Sequence, residues 1–417
     1  MNTINNMNSN TAFKPLLSVV IPTRNRFLYI KSAITSILAI NDQRIELVIQ
    51  DNSDSDDLKL WIYDNINDSR LKYNYLNIPL SFVGNFNEGV EASSGEYICI
   101  IGDDDGINPE IIDAVTWLKH ENIECLSTQI SANFVWDDAE VPTSLFTNVT
   151  GGVLSISKLS IKIVEANVEN ELMNFVKGGL INYLDFNLPK IYHGIVKAEC
   201  LKEIKQRTGN YFGGLSPDIF ASISLACIAK RVFVTNYPLT ISGVCGVSAS
   251  IVEGLLKKNS KKLEDAPHLR HRGHYEWSEL IPKVYCVETI WADSAISALK
   301  SIKRYDLLKY INISRFSAVC VNANKGVTSH VLYSMKSVSK LRGDIYVKYY
   351  ILYFWYLSIF KLKNITNIFN RIFNRLLIII GKKKFESISK LNNINDATIA
   401  LTTYLSNKSI LFKSFIN

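Results

Sequence analysis

A chain of 417 residues with 47% hydrophobic and 20% charged side chains is long enough for two domains or one large domain with an appendage. It is not disordered. Its seven cysteines (99, 125, 200, 227, 245, 286 and 320) lie far apart with no CxxC pair. That argues against a zinc site or disulfide framework and for reduced thiols in a cytosolic setting. The net charge of +7 is local: from Lys336 to Glu386 eleven Lys or Arg face only Asp344 and Glu386, so the basic character belongs to the C-terminal part and no nucleic-acid partner is expected.

Residues 1–14 are rich in Asn, Ser and Thr and read as a disordered tail without the basic start and apolar core of a signal peptide. Leu16 to Ile21 reads as a buried parallel strand ended by Pro22. A turn over Thr23 to Arg26 follows, then helical spacing through Leu28, Ile30, Ala33, Ile34, Ile37 and Leu38. Glu46 to Gln50 is a second strand, delivering Asp51 to the same sheet edge. A helix through Leu58, Trp61 and Ile62 and a strand near Leu71 to Tyr75 continue the alternation, which predicts an α/β fold with a doubly wound, mostly parallel sheet.

The stretch Gly95 to Gly106 runs from a turn glycine through an apolar strand to three consecutive carboxylates, Asp103, Asp104 and Asp105. Asn108 suits an N-cap and Pro109 the first helical position, so a helix should start directly behind. Ligands of open α/β sheets bind at this strand edge. Adjacent like charges there call for a counter-charge, which Mg²⁺ or Mn²⁺ supplies most simply. No GxGxxG or GxxxxGK[ST] follows the first strand, so the usual dinucleotide and P-loop readings fail.

Four segments, LLSVVIPTRNR (16–26), ELVIQDNS (46–53), NEGVEASSGEY (87–97) and GDDD (102–105), together resemble family 2 glycosyltransferases of GT-A fold, over roughly residues 16–245. Two departures stand out: the commoner acidic motif is Asp-x-Asp-Asp, where this chain has Ile101 and Gly102, and the Arg that often precedes the motif asparagine is Phe86. The resemblance implies that Pro22 and Thr23 line the base pocket of a UDP, dTDP or GDP sugar. Asp51 would accept the imide N–H of the base, Asn87 would support the nucleotide, and Asp103 would sit near the ribose or metal. It makes Asp104 the direct ligand of Mn²⁺ or Mg²⁺, while Asp105 faces solvent or holds a backbone N–H. For Asp51 a helix cap, and for Asn87 a turn, are the alternatives.

Leu154 to Leu184 reads as mostly helical, Lys190 to Glu199 as a return strand bearing His193, and Arg231 to Thr235 as a further strand. Ser216-Pro217-Asp218 precedes an apolar helix; the resemblance makes Asp218 the general base, and a dipole-stabilised helix-start aspartate is the alternative. Residues 243–262 suit a loop over the donor phosphates, and His268, His271 and His274 do not have zinc spacing. The chain divides into the tail (1–14), a catalytic domain (15–262) and a helical, basic C-terminal region (263–417). The expected activity is inverting, metal-dependent sugar transfer to a glycan or lipid-linked glycan of a bacterial surface polysaccharide, in the cytoplasm or at the cytoplasmic membrane face. A sugar-phosphate nucleotidyltransferase, or a non-catalytic nucleotide-sugar or glycan-binding protein, is the alternative. Residues 345–360, aromatic and apolar with a single Lys, are too short to span a bilayer. They suit either an anionic membrane surface or packing onto the transferase domain.

Overall fold

In the computed structural model the described residues are 14–139, 151–157, 160–247, 266–379 and 385–416. The expected alternation is present: β1 (Leu17–Thr23), α1 (Phe27–Leu38), β2 (Ile45–Asp51), α2 (Asp57–Asn65), β3 (Leu71–Tyr75), α3 (Phe82–Glu91) and β4 (Tyr97–Ile100). β1 pairs in parallel with β2 and β4, and β2 with β3. Successive side chains of β1 enter opposite cores: Val19 and Ile21 pack with α1, whereas Val20 packs with α3. That period-2 split is what a strand covered by helices on both faces requires.

The first strand extends past the expected stop, with Pro22 inside it. Val20 O accepts from Ile101 N, and Thr23 O accepts from Asn52 N, so even-numbered residues turn their polar groups towards β4. The β4 ladder ends at the Val20–Ile100 pair, so the missing Pro22 N–H costs no sheet bond. Beyond β4 the sheet continues through β10 (Ile195–Lys197), β6 (Cys125–Thr128), β11 (Val232–Thr235) and β9 (Ile163–Glu165), in the order β3-β2-β1-β4-β10-β6-β11-β9. β10 and β9 are its antiparallel members.

A second sheet, β13-β8-β7-β12-β5, is formed by β5 (Gly106–Ile107), β7 (Ala132–Val135), β8 (Val153–Ser157), β12 (Thr240–Val244) and β13 (Phe385–Ser389). β8 and β9 correct the helical reading of 154–184. In β8 Leu154 and Ile156 are buried while Val153, Ser155 and Ser157 are half-exposed, a two-residue period that selects strand. The helix there, α5, covers only Val168–Lys177.

Helices Val287–Ser301, Ile313–Ala323, Thr328–Leu341 and Tyr346–Ile379 follow. The chain then returns, as the division at residue 263 does not anticipate. β13 pairs antiparallel with β8, and helix Ile394–Asn407 places Ile394, Ala397, Leu401 and Leu405 in the core that holds Val19 and Ile21.

Candidate active site

The carboxyl edge of β1 and β4 opens on a cleft of ≈ 750 Å³, lined among others by Pro22, Thr23, Arg26, Asn85, Asp103, Asp104, Asp105, Asp218, His268 and Trp291. The acidic turn closing β4 is built at close quarters. A Cβ on Gly102 would lie 2.7 Å from the Tyr192 hydroxyl and 3.0 Å from carboxylate oxygens of Asp104 and Asp105, so a side chain in place of the hydrogen would push these two carboxyls out of position. The helix behind starts later than expected, at Ile111. Asn108 braces the turn before it, accepting from Glu110 N–H at 3.1 Å and donating to Pro238 O at 3.0 Å.

The three aspartates have different surroundings. Asp105 is buried and does not face solvent. It accepts from the N–H groups of Gly102 (2.6 Å) and Gly243 (2.7 Å) and from the Tyr192 hydroxyl (2.9 Å), and His193 Nε2 lies 3.2 Å away. Burial pushes its pKa up, but His193 and the two backbone donors outweigh this and hold it below the ordinary value. His193 precedes β10 in a left-handed conformation (φ 60°), its Nδ1 3.0 Å from Thr240 Oγ1. Asp105 and His193 thus hold the turn.

Asp103 accepts from Thr23 Oγ1 (2.7 Å) and Arg26 Nε (3.0 Å), and Arg26 also stands 3.8 Å from Asp104. The first-strand turn therefore supplies a cation that the sequence reading left unassigned. Burial still pushes the Asp103 carboxyl up to about 7, Arg26 opposing the rise and Asp104 adding to it. One guanidinium does not neutralise the turn. Hard oxygens with surplus negative charge fit Mg²⁺ or Mn²⁺. Among the described residues no three His, Cys, Asp or Glu side chains converge as a preformed cation site.

A carboxyl whose pKa is 3.8 unfolded and about 7 folded favours the folded state when protonated, and that contribution is lost as pH rises between those values. In EDTA, the melting temperature of the native chain is expected to fall relative to Asp103→Asn between pH 5 and pH 8. A pH-independent difference between the two proteins would contradict this.

Asp51 is fully buried, its Oδ1 accepting from Ser53 N–H (2.8 Å) and its Oδ2 from the Tyr73 hydroxyl (2.7 Å). It pairs with Thr23 in the sheet but is not among the lining residues. Asn87 also lies outside the cleft, and its amide is fully engaged elsewhere. Oδ1 accepts from Tyr211 N and Phe212 N (2.9 and 3.1 Å), and Nδ2 donates to Val83 O and Phe212 O (2.9 and 3.1 Å). The cleft position belongs to Asn85, two residues back on the other side of α3. Its Nδ2 donates to Thr23 O (3.1 Å), and its buried Oδ1 has no hydrogen-bond partner among the described residues. Asn87→Ala is expected to cost about 1–3 kcal/mol of stability, because two backbone donors lose their acceptor. Nucleotide affinity of the folded variant should be unchanged; a selective loss of nucleotide binding at unchanged stability would restore Asn87 to a ligand role.

Across the cleft, α7 (Pro217–Ala226) begins at the N-cap Ser216. Asp218 accepts from the Tyr183 hydroxyl at 2.8 Å through Oδ2 and from Ser216 Oγ through Oδ1. Burial, then the neighbouring Asp218 charge, raise the Tyr183 pKa well above its ordinary value, so Tyr183 stays a neutral donor. Trp291 meets the Tyr183 ring edge-on, centroids 5.3 Å apart. His268 brings a buried Nδ1 with no hydrogen-bond partner among the described residues into the lining; burial lowers its pKa, Asp218 opposing. Tyr183, Trp291 and His268 come from three segments between which the sequence gives no spacing signal. Of the expected loop at 243–262, residues 248–262, including all its lysines, lie outside the described residues.

The Glycosyl transferase family 2 model matches residues 18–152, the segment carrying β1, β4 and the acidic turn. A Campylobacter jejuni GalNAc(5)-diNAcBac-PP-undecaprenol beta-1,3-glucosyltransferase is 37% identical over 96 residues, 22% of this chain; the match spans only 30% of that protein. An uncharacterized glycosyltransferase of Haemophilus influenzae is 25% identical over 198 residues, covering 46% of this chain and 74% of the relative. Among solved structures, S. aureus TarS 1–349 in complex with UDP-GlcNAc aligns over 79% of this chain and 93% of its own, at 17% identity and a TM-score of 0.42. The matched segment supplies the acidic turn, Pro22, Thr23 and Arg26, and over residues 18–152 the chain is similar to glycosyl transferase family 2.

Proposed function

We propose that the cleft transfers a sugar from a nucleoside diphosphate donor to an acceptor hydroxyl with inversion. The observation carrying this reading is that Asp103 and Asp104, from the β4 turn, and Asp218, from the start of α7, line one cleft. Asp104, with Asp103 beside it, would hold Mn²⁺ or Mg²⁺. When bound, that ion neutralises charge on the departing diphosphate. Pro22 and Thr23 flank the nucleotide end of the cleft, and Asp51 supports the sheet edge from beneath Tyr73.

Asp218 takes the acceptor proton as the acceptor oxygen bonds to the anomeric carbon. The bond from that carbon to the diphosphate oxygen breaks on the opposite side, so one displacement inverts the centre. The Tyr183 and Ser216 hydroxyls fix the carboxylate in orientation, which counts because general-base efficiency depends on reach and alignment.

The Campylobacter relative's name specifies a polyprenyl diphosphate-linked glycan, and a glycan of that class is the acceptor we assign, as part of bacterial surface polysaccharide synthesis at the cytoplasmic membrane face. A panel of UDP, dTDP and GDP sugars, screened for thermal stabilisation and nucleotide release with Mn²⁺, Mg²⁺ or EDTA, tests the reading. One nucleotide class should stabilise the protein and release nucleotide only with metal. No stabilisation by any donor, or a product with retained anomeric configuration, would overturn it.

A further inference from the structure

The helix Tyr346–Ile379 has two apolar faces. One is used inside the fold: Tyr349, Tyr353 and Leu357 are buried, and Tyr346, Tyr356 and Phe360 pack at the margin of the same core. Asn312 Nδ2 donates to the Tyr356 hydroxyl at 3.0 Å, and Ser314 Oγ donates to Tyr349 O at 3.0 Å. At about 100° per residue the second face falls opposite the first. Val347, Ile351, Phe354, Trp355, Leu362 and Ile365 share an arc of about 100°, and they are 60, 63, 47, 64, 63 and 50% exposed. Exposed Lys348 and Lys361 stand on the two shoulders of this arc. Residues 345–385 contain eight Lys or Arg and neither Asp nor Glu.

We propose that this second face docks on an anionic lipid bilayer, the helix lying in the headgroup plane with Phe354 and Trp355 inserted and the lysines at phosphate level. Each feature selects that occupant. Among the described residues no helix is long and apolar enough to cross a membrane, which leaves the surface. Aromatic side chains flanked by lysines are favoured where apolar and wet layers meet. A second copy of the chain would bring the same positive charge against this one, whereas an anionic surface neutralises it. Neither the exposure nor the charge depends on the chemistry assigned to the cleft, so lipid binding and sugar transfer can fail separately.

The test is co-sedimentation of the full chain with phosphatidylcholine vesicles, with and without phosphatidylglycerol, at low and high salt. Two variants accompany it: Ile351→Asp with Trp355→Asp, and Lys348→Glu with Lys361→Glu and Lys363→Glu. Binding is expected only with phosphatidylglycerol and to fall at high salt. Each lysine near an anionic surface is worth about fivefold, and either variant should bind at least about tenfold more weakly while keeping the native melting temperature. The proposal is overturned by absence of binding at low salt, by equal binding to both vesicles, or by variants that bind like the native chain. A dimer in sedimentation velocity that the Ile351/Trp355 variant abolishes, without vesicle binding, would assign the face to a second copy instead.

Discussion

Asp218→Asn is expected to lower turnover by about 10²–10⁴, the span of general-base catalysis, while affinity for the nucleoside diphosphate that the donor screen selects stays within about a factor of two. The asparagine retains the shape that meets Tyr183 and Ser216 but cannot take a proton at neutral pH. Initial rates with saturating donor, set beside calorimetric titration of the same nucleoside diphosphate, separate the two quantities. Tyr183→Phe provides the graded comparison: it removes the 2.8 Å hydrogen bond that aims the carboxylate and leaves the base in place, so its loss should be smaller. If Asp218→Asn turns over like the native enzyme, another carboxylate is the base and the single-displacement scheme must be rebuilt around it.

The second large effect concerns Asp104. Its backbone carbonyl accepts from Trp136 Nε1 at 3.1 Å, a bond that does not involve the carboxyl, so Asp104→Asn should preserve the turn. Losing one ligand charge beside a diphosphate should weaken Mn²⁺-dependent binding of that nucleoside diphosphate by about 10–100-fold, the range of a charge-assisted contact. Its binding in EDTA should change little. Calorimetry is the measurement, and unchanged affinity with Mn²⁺ would falsify the assignment of Asp104 as the metal-holding residue.

The sheet edge was legible because it is local. An apolar run, a turn and a polar end recur in β1, β2 and β4, and this pattern places Asp51, Asp103 and Asp104 at one edge without any long-range information. Asp218 was legible for the same reason, a Ser-Pro-Asp helix start followed by an apolar face. What sequence could not decide was facing. Asn85 and Asn87 sit two apart on one helix, about 200° around its axis, and only the packing of α3 under β1 and β2 tells which looks into the cleft. Arg26 was read as part of a turn because its partners, Asp103 and Asp104, are close only in the folded chain. The strands β8 and β13 are not legible in sequence because each is short and gains its ladder from distant chain, β8 from β7 and β13, and β13 from β8. Tyr349 and Phe354 likewise look alike in a basic aromatic run, yet one is 8% and the other 47% exposed.

The return of the last segment bears on how this protein is made. Ser36 donates to Thr398 across 362 residues of sequence, and Leu154 waits for Ile388 to complete its ladder. On the ribosome, the N-terminal half emerges with the docking face for helix Ile394–Asn407 uncovered and the edge of β8 unpaired. Pairings so distant are slow to form, and open edges invite association between chains. The nascent chain thus carries a sticky seam until residues 385–407 emerge, and a chaperone that shields it should raise the yield of folded protein. Trimming the chain before Lys336 to remove its basic helix would leave that seam open for good, so the lipid-facing residues are better altered one by one than cut away.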